Sequence, residues 1–196
     1  MSMKLSLLCL LACIITFSAE PEKIFDGSSL DNFVLPKKNI WWSLKDGAIY
    51  GKSGPKRKGS IIWSKKKYKN FEIEFEFKMG HEKRIDTGFF IRKEEDQVQI
   101  GESGSLKKDM TGMLYLARGG KYVKTETEEK KVLHRSEWNK MKVRAVGNHY
   151  SVWLNGKKTM ETKSKTAIEE GPIGFQIHGA RDMSCWFRNI TITTLD

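Results

Sequence analysis

Two side chains near the C-terminus have types and a spacing that suit chemistry. Gln176 and His178 alternate with Ile173, Phe175 and Ile177 in the segment GPIGFQIHG. Successive side chains of a strand point to opposite faces, so the apolar residues face a core, and the glutamine and histidine share the other face. An amide and an imidazole both donate and accept hydrogen bonds, and a rigid strand could hold them in a polar ligand pocket. The alternative is a solvent-facing sheet edge with an incidental histidine.

A second set of polar candidates lies on two earlier predicted strands. Asp86, Gly88 and Arg92 share a face of the segment DTGFFIR by parity, and Gln97 and Gln99 share a face of QVQI. These side chains could bind the hydroxyl groups of a polar ligand. The alternatives are an ion pair between Asp86 and Arg92 across the sheet and ordinary exposed strand polarity at the two glutamines.

Residues 71–78 read FEIEFEFK, which is the cleanest alternation in the chain. A single apolar face is typical of an antiparallel sheet. The three glutamates on the other face could form a metal or acid–base cluster, but such a face is more often simply solvated. Glu76 is the member that we retain as a candidate for substrate binding.

Cysteine usage argues against a disulfide framework. Cys9 and Cys13 lie in the N-terminal apolar run, which leaves Cys185 alone in the remaining domain. A nucleophilic pair of Cys185 with His178 is conceivable. However, Cys185 stands beside two aromatic residues in an apolar strand, where a lone cysteine usually behaves as a small hydrophobe.

Residues 1–19 have the pattern of a signal peptide. A short basic start precedes an apolar run from Leu5 to Phe17, and small residues follow it. The run is shorter than the ~20 residues that span a membrane. We therefore predict an exported domain over residues 20–196, periplasmic or extracellular, with no transmembrane span. A loose lipobox around Cys13 leaves lipoprotein anchoring as an alternative.

The formal net charge of +11 raises the question of nucleic acid. The lysines are scattered in short groups at predicted turns, with no basic helix and no arginine–aromatic RNA signature. We therefore predict no nucleic-acid binding, and interpret the charge as a solvated basic surface attracted to acidic polysaccharide or to an anionic envelope.

Turn signals divide the chain into about a dozen short strands. Asp46-Gly47, Gly147-Asn148 and Asn155-Gly156 are hairpin turns, Lys65–Lys69 is a basic turn, and residues 124–131 form a loop or ragged edge. No helix of ten residues is predicted. These features predict an all-β protein, a jelly-roll β-sandwich of antiparallel strands.

The chain resembles the secreted bacterial 3-keto-disaccharide hydrolase family, also described as 3-keto-glucoside 1,2-lyase/3-keto-2-hydroxyglucal hydratase domains. The matching segments are residues 24–27, 42–47, 68–78, 86–92, 97–100, 137–139, 153–156 and 171–195. They follow in order over nearly the whole domain. The resemblance implies a concanavalin-like or laminin-G-like jelly roll and an oligosaccharide or glycoside substrate.

The resemblance also implies a chemistry. A ketone at C3 acidifies the C2 hydrogen, so a base forms an enolate, the C1 substituent leaves, and water adds to the resulting glucal. On this reading His178 is the base, acid or metal ligand, and Arg92 holds the enolate oxygen. The remaining candidates would bind hydroxyl groups: Asp86, Gln97, Gln99, Gln176 and Glu76.

Two departures from the family pattern affect this reading. Gln97 stands where family members commonly have glutamate, and Val152 stands where they commonly have histidine. Losing a carboxylate and an imidazole weakens a divalent-metal site, unless Glu76, Glu102 or Asp86 supplies a ligand. A divalent metal is thus weakly supported. The alternatives to an enzyme are a non-catalytic carbohydrate-binding module on the same scaffold and a structural envelope protein.

Overall fold

The computed structural model describes residues 20–82, 84–116, 121–122 and 132–196. Over these residues the strands form two antiparallel sheets, with one short 3-10 turn at Pro55–Arg57. No helix among them is long and apolar enough to cross a membrane. The predicted signal peptide, Cys13 and the 124–131 segment lie outside the described residues.

Strands are numbered in chain order. The first sheet contains β1 (Glu22–Phe25), β3 (Trp42–Lys45), β4 (Ala48–Lys52), β6 (Phe71–Met79), β12 (Asn139–Val146), β13 (His149–Leu154), β14 (Lys157–Lys163) and β16 (Ser184–Thr194). Its order is β14-β13-β12-β6-β16-β4-β3, and β1 also pairs with β16. Every pairing in it is antiparallel.

The second sheet contains β2 (Phe33–Val34), β5 (Ser60–Tyr68), β7 (Asp86–Ile91), β8 (Asp96–Ser103), β9 (Lys108–Asp109), β10 (Leu114–Leu116), β11 (Lys121–Tyr122) and β15 (Gly171–Ile177). Its order is β11-β10-β8-β7-β15-β5-β2, and β9 pairs with β8. The predicted all-β sandwich is confirmed.

Four phenylalanines join the two sheets at the centre of the core. Phe75 and Phe187 come from the first sheet, and Phe89 and Phe175 come from the second. The ring centroids of Phe75 and Phe175 are 5.1 Å apart, and those of Phe175 and Phe187 are 4.5 Å apart. Such pairs add about 0.5–1.5 kcal/mol each beyond area burial. Together with the pairing of β15 to β5 and β7, this packing fixes the position of β15 and of the side chains on its outer face.

The predicted hairpin turns are present. Asp46 and Gly47 have φ values of 53° and 69°, and Asn155 and Gly156 have φ values of 48° and 82°. Two consecutive positive φ angles are typical of a type I′ turn, which matches the twist of the flanking strands.

The predicted basic turn at Lys65–Lys69 is wrong. Strand β5 continues to Tyr68, and Lys67 and Tyr68 pair with Pro172 and Gly171 of β15. Tyr68 is buried and its ring lies 5.8 Å from that of Phe71. Burial of this one aromatic side chain extends the strand through three exposed lysines.

Candidate functional site

A cleft of about 590 Å³ opens on the outer face of the second sheet. Strands β7, β8, β10 and β15 supply its floor, and the loops at residues 104–105 and 178–181 supply part of its wall. This volume lies within the ~300–1,000 Å³ range of small-ligand sites. The outer face of this sheet is therefore the candidate site.

The strand register sets two rows of side chains across the floor. In one row Trp63 of β5, Gly174 of β15, Phe90 of β7, Gln97 of β8 and Tyr115 of β10 are paired neighbours. The adjacent row carries Gln176 opposite Ile61, and Gly88 opposite Gln99. A row of three aromatic residues and Gln97 thus borders a row that carries two further amides, Gln176 and Gln99.

The three glutamines form a hydrogen-bonded chain that ends on a carboxylate. Gln97 Nε2 donates to Gln99 Oε1 at 2.9 Å and to Gln176 Oε1 at 3.3 Å. Gln99 Nε2 donates to Asp86 Oδ1 at 2.8 Å. A Cβ at Gly88 would lie 2.4 Å from Gln97 Nε2, so the absence of a side chain there lets the amides pack together.

Asp86 lies beneath the cleft and both of its oxygens are engaged. Its side chain is almost fully buried, and Oδ2 accepts a hydrogen bond from the Gly104 backbone N–H at 2.9 Å. Arg181 Nε lies 3.8 Å from the same oxygen. The Asp86 side chain therefore connects β7, β8 and two loops. Gln99, which is 2% exposed, likewise supports the floor of the cleft.

His178 is the imidazole of the cleft among the described residues. It follows β15 directly, is exposed, and its Nδ1 contacts the Gly179 carbonyl oxygen. In the neutral ring this contact puts the proton on Nδ1, because a carbonyl oxygen can only accept. The lone pair is then on Nε2. The structure places Gln176 and His178 together in the lining of the cleft.

The structure does not bring Arg92 to the cleft, so the parity prediction is wrong at this residue. Arg92 follows the last residue of β7 and has a φ of 65°, which ends the strand alternation and turns the side chain inward. It is 1% exposed and donates to the carbonyls of Gly147 (2.6 Å), Ile168 (2.9 Å) and Lys69. Burial lowers the pKa of this guanidinium. The predicted ion pair with Asp86 is also absent among the described residues.

Glu76 also lies away from the cleft. It belongs to β6 of the first sheet, and its Oε2 accepts a hydrogen bond from Arg188 Nε at 2.6 Å. The alternation predicted for this strand is correct, with its glutamates on the outer face. That face is on the opposite side of the sandwich from His178.

Sequence reasoning missed other groups that line the cleft. Arg181 enters from the loop after His178, and Tyr115 Oη lies 2.9 Å from Ser105 Oγ at the other end. Glu94 and Glu95 border the same cavity. The proximity of Arg181 to His178 in the sequence was a usable signal, whereas Tyr115 reaches the site only through its register with Gln97.

The residues present do not fit a divalent-metal centre. Among the described residues no group of three His, Cys, Asp or Glu side chains is arranged to hold a metal. Glu102 lies 3.5 Å from Arg84 Nε, and both Asp86 oxygens are engaged. Val152 is fully buried in the core, so its difference from the family histidine removes no group from the cleft.

Cys185 is a core residue. It is fully buried, and burial raises the pKa of its thiol. A protonated thiol is a poor nucleophile. The small-hydrophobe interpretation agrees with this position on the opposite side of the second sheet from His178.

A family model described as a 3-keto-alpha-glucoside-1,2-lyase-like domain matches residues 20–193. The chain belongs to this family. Membership supports a role in carbohydrate processing, and the resemblance inferred from the sequence motifs is confirmed. No curated protein matches the chain.

Solved structures show the same sandwich. Two candidate glycosyl hydrolases from Parabacteroides distasonis are 24% and 21% identical and have TM-scores of 0.63. The alignments cover 90% and 88% of this chain, and 100% and 93% of those chains. The carbohydrate-binding module CBM66 from Bacillus subtilis is 14% identical with a TM-score of 0.59, over 83% of this chain and 96% of the module. These likenesses show the fold, and the jelly-roll prediction is confirmed.

Proposed function

We propose that the protein acts on 3-keto-glucosides by 1,2-elimination followed by hydration, with His178 as the base. The observation that carries this proposal is the contact of His178 Nδ1 with the Gly179 carbonyl oxygen at the cleft, which in the neutral ring leaves Nε2 able to accept a proton. Arg181 lines the same cleft. Family membership supports the choice of substrate class.

The chemistry uses the cleft in two steps. His178 Nε2 takes the proton from C2, and the C–H electron pair forms the C2=C3 enolate. The enolate then re-forms the C3 ketone as a C1=C2 bond forms and the C1–O bond breaks, and the leaving oxygen takes a proton. Addition of water across C1=C2 completes net hydrolysis. A positioned base supplies about 10²–10⁴-fold of such a rate.

Arg181 takes the role that sequence reasoning gave to Arg92. Its guanidinium lies in the cleft and its side chain is 27% exposed, so it can stabilise the enolate oxygen. Asp86 and the packed backbone of Gly104 hold it in place. Gln176 and Gln97 would bind hydroxyl groups, with Asp86 and Gln99 supporting them from below.

The leaving oxygen needs a proton donor. Three side chains that line the cleft carry suitable groups: Glu94, Glu95 and Tyr115. We assign the role to this set, and single substitutions to glutamine or phenylalanine would identify the member responsible.

The test is release of the aglycone from a purified 3-keto-glucoside by the full protein. We expect turnover in the wild type, a loss of ~10²-fold or more in His178→Asn, and a similar loss in Arg181→Met. His81→Asn is the matched control, since His81 is exposed and lies outside the cleft. Turnover by His178→Asn at the wild-type rate would overturn the assignment.

A non-catalytic carbohydrate-binding module is the second candidate function. It is favoured by the engaged state of Asp86, because both oxygens of this carboxylate already accept hydrogen bonds and are not available to act with His178. Saturable sugar binding with no turnover at any pH, with or without added divalent metal, would establish this alternative.

We also propose that residues 1–19 direct export, with lipid attachment at Cys13 as the variant form. N-terminal sequencing and mass measurement of the protein from an exporting host distinguish the two. A chain that starts near residue 20 without a lipid supports ordinary signal cleavage, and an intact N-terminus contradicts both.

A further inference from the structure

The cleft continues into a second hollow on the same sheet face. This hollow has a volume of about 410 Å³ and is lined by Trp63, Ile61 and the Gly59–Ser60 backbone. Glu94, Gln176 and Gly179 border both spaces, so the two are contiguous. A ligand held at Gln176 and His178 can therefore extend towards Trp63.

Neighbouring residues of the sheet position the Trp63 ring. Trp63 of β5 pairs with Gly174 of β15, which in turn pairs with Phe90 of β7. A Cβ at Gly174 would lie 2.6 Å from Trp63 Cε3, and the Trp63 and Phe90 ring centroids are 5.5 Å apart. The indole thus rests on the bare backbone of Gly174 and against a buried phenylalanine, which fixes its orientation.

Three other partly exposed tryptophans of the described chain have a cation over the ring. Arg188 Cζ lies 3.8 Å from the Trp138 ring centroid, Lys142 Nζ lies 4.6 Å from that of Trp153, and a lysine Nζ lies 5.1 Å from that of Trp186. These rings belong to or border the first sheet. Their faces are occupied by the protein's own side chains.

Trp63 differs from these three tryptophans in its ring face, and from Trp41 and Trp42 in its indole N–H. Within the described residues it has no cation over its ring and no hydrogen-bond partner for Nε1, whereas the Nε1 groups of Trp41 and Trp42 donate to Lys58 O and Ser60 Oγ. An indole with an available face and an available N–H suits the apolar face and a hydroxyl group of a pyranose ring.

We propose that Trp63 is the platform for the second pyranose ring of the substrate, next to the unit that reacts at His178. This inference rests on the proposed function and deepens it, because it names the residue that would favour a disaccharide over a glycoside with a small aglycone. Trp63 would then determine specificity for the second ring. The contacts of the reacting unit would not depend on Trp63.

The test compares kcat and KM for three substrates: a 3-keto-disaccharide, methyl 3-keto-glucoside and an aryl 3-keto-glucoside. For Trp63→Ala we expect kcat/KM on the disaccharide to fall about tenfold through KM, as loss of one ring stack predicts. The methyl glycoside should change less than about twofold, because its aglycone is too short to reach the ring. Equal losses on both would overturn the proposal, as would no loss, or a loss confined to the aryl glycoside.

Two controls keep the test decisive. Trp153→Ala removes a cation-covered indole from the other sheet and should leave the substrate preference unchanged. Trp63→Phe keeps a ring and should recover most of the preference if Trp63→Ala folds poorly. If the wild type turns over none of the three substrates, the proposed function is wrong, whatever the role of Trp63. Calorimetric binding of the unoxidised disaccharide against methyl glucoside, in wild type and Trp63→Ala, then still decides the role of Trp63.

Discussion

Replacing Arg92 by methionine is expected to destabilise the fold without acting on the chemistry. The guanidinium is buried and donates to three backbone carbonyls from separate segments, at Gly147, Ile168 and Lys69. These hydrogen bonds are partly buried, and a hydrogen bond from a charged donor contributes about 1.5–3 kcal/mol. Removal of the buried charge offsets part of this sum, because the guanidinium no longer has to be desolvated. Arg92 Nε makes no hydrogen bond among the described residues, so no hydrogen bond is lost with that atom. We therefore expect a net loss of about 3–5 kcal/mol, which is a large share of the ~5–15 kcal/mol of a typical domain.

Urea unfolding followed by tryptophan fluorescence measures this loss. With a slope of about 2 kcal/mol per molar urea, the midpoint should fall by about 2 M. Arg144→Met is the matched control, since Arg144 is 50% exposed and its ion pair with Glu72 should contribute less than about 1 kcal/mol. An Arg92→Met protein with a wild-type midpoint but no turnover would refute the structural role and restore Arg92 as a catalytic candidate.

Three further changes test other parts of the description. Gly88→Ala should lower kcat/KM about tenfold, because the added Cβ displaces Gln97; wild-type kinetics would show that the amide chain is dispensable. Burial raises the pKa of Tyr68 to about 12, so its contribution to stability is full below pH ~10 and is lost as the pH rises towards 12. Melting temperatures should fall across that window, and fall less in Tyr68→Phe; identical slopes would contradict this. Cys185 should resist alkylation until the protein unfolds, as peptide mapping can show; native labelling at Cys185 would disprove its burial.

Local patterns in the sequence were sufficient for the fold and for part of the site. Alternation within β6 and β15 correctly assigned the core and outer faces, because each strand keeps its period of two throughout. The type I′ turns were equally local, since the residues that adopt positive φ are also the residues that signal them. Gln176 and His178 were found in this way.

Sequence reasoning failed where one backbone angle or a distant pairing decides. The positive φ of Arg92 turns its side chain inward, away from the cleft. No pattern in DTGFFIR predicts that angle for an arginine. The position of Tyr115 at the cleft depends on the pairing of β10 with β8, and the position of Trp63 depends on the pairing of β5 with β15. Glu76 was on the correct face of its strand, but the sequence did not show which of the two sheets carries the cleft.

Exchange of the C2 hydrogen of a 3-keto-glucoside in D₂O, followed by proton NMR, tests the proposed proton abstraction most directly. This step precedes loss of the leaving group, so the measurement does not depend on the aglycone or on product release. We expect the wild type to remove the C2 proton signal, either by exchange or by elimination, and His178→Asn to do so at least ~10²-fold more slowly. A C2 signal that is lost equally fast with His178→Asn would contradict the role of His178, and a signal that persists with the wild type would contradict the proposed reaction.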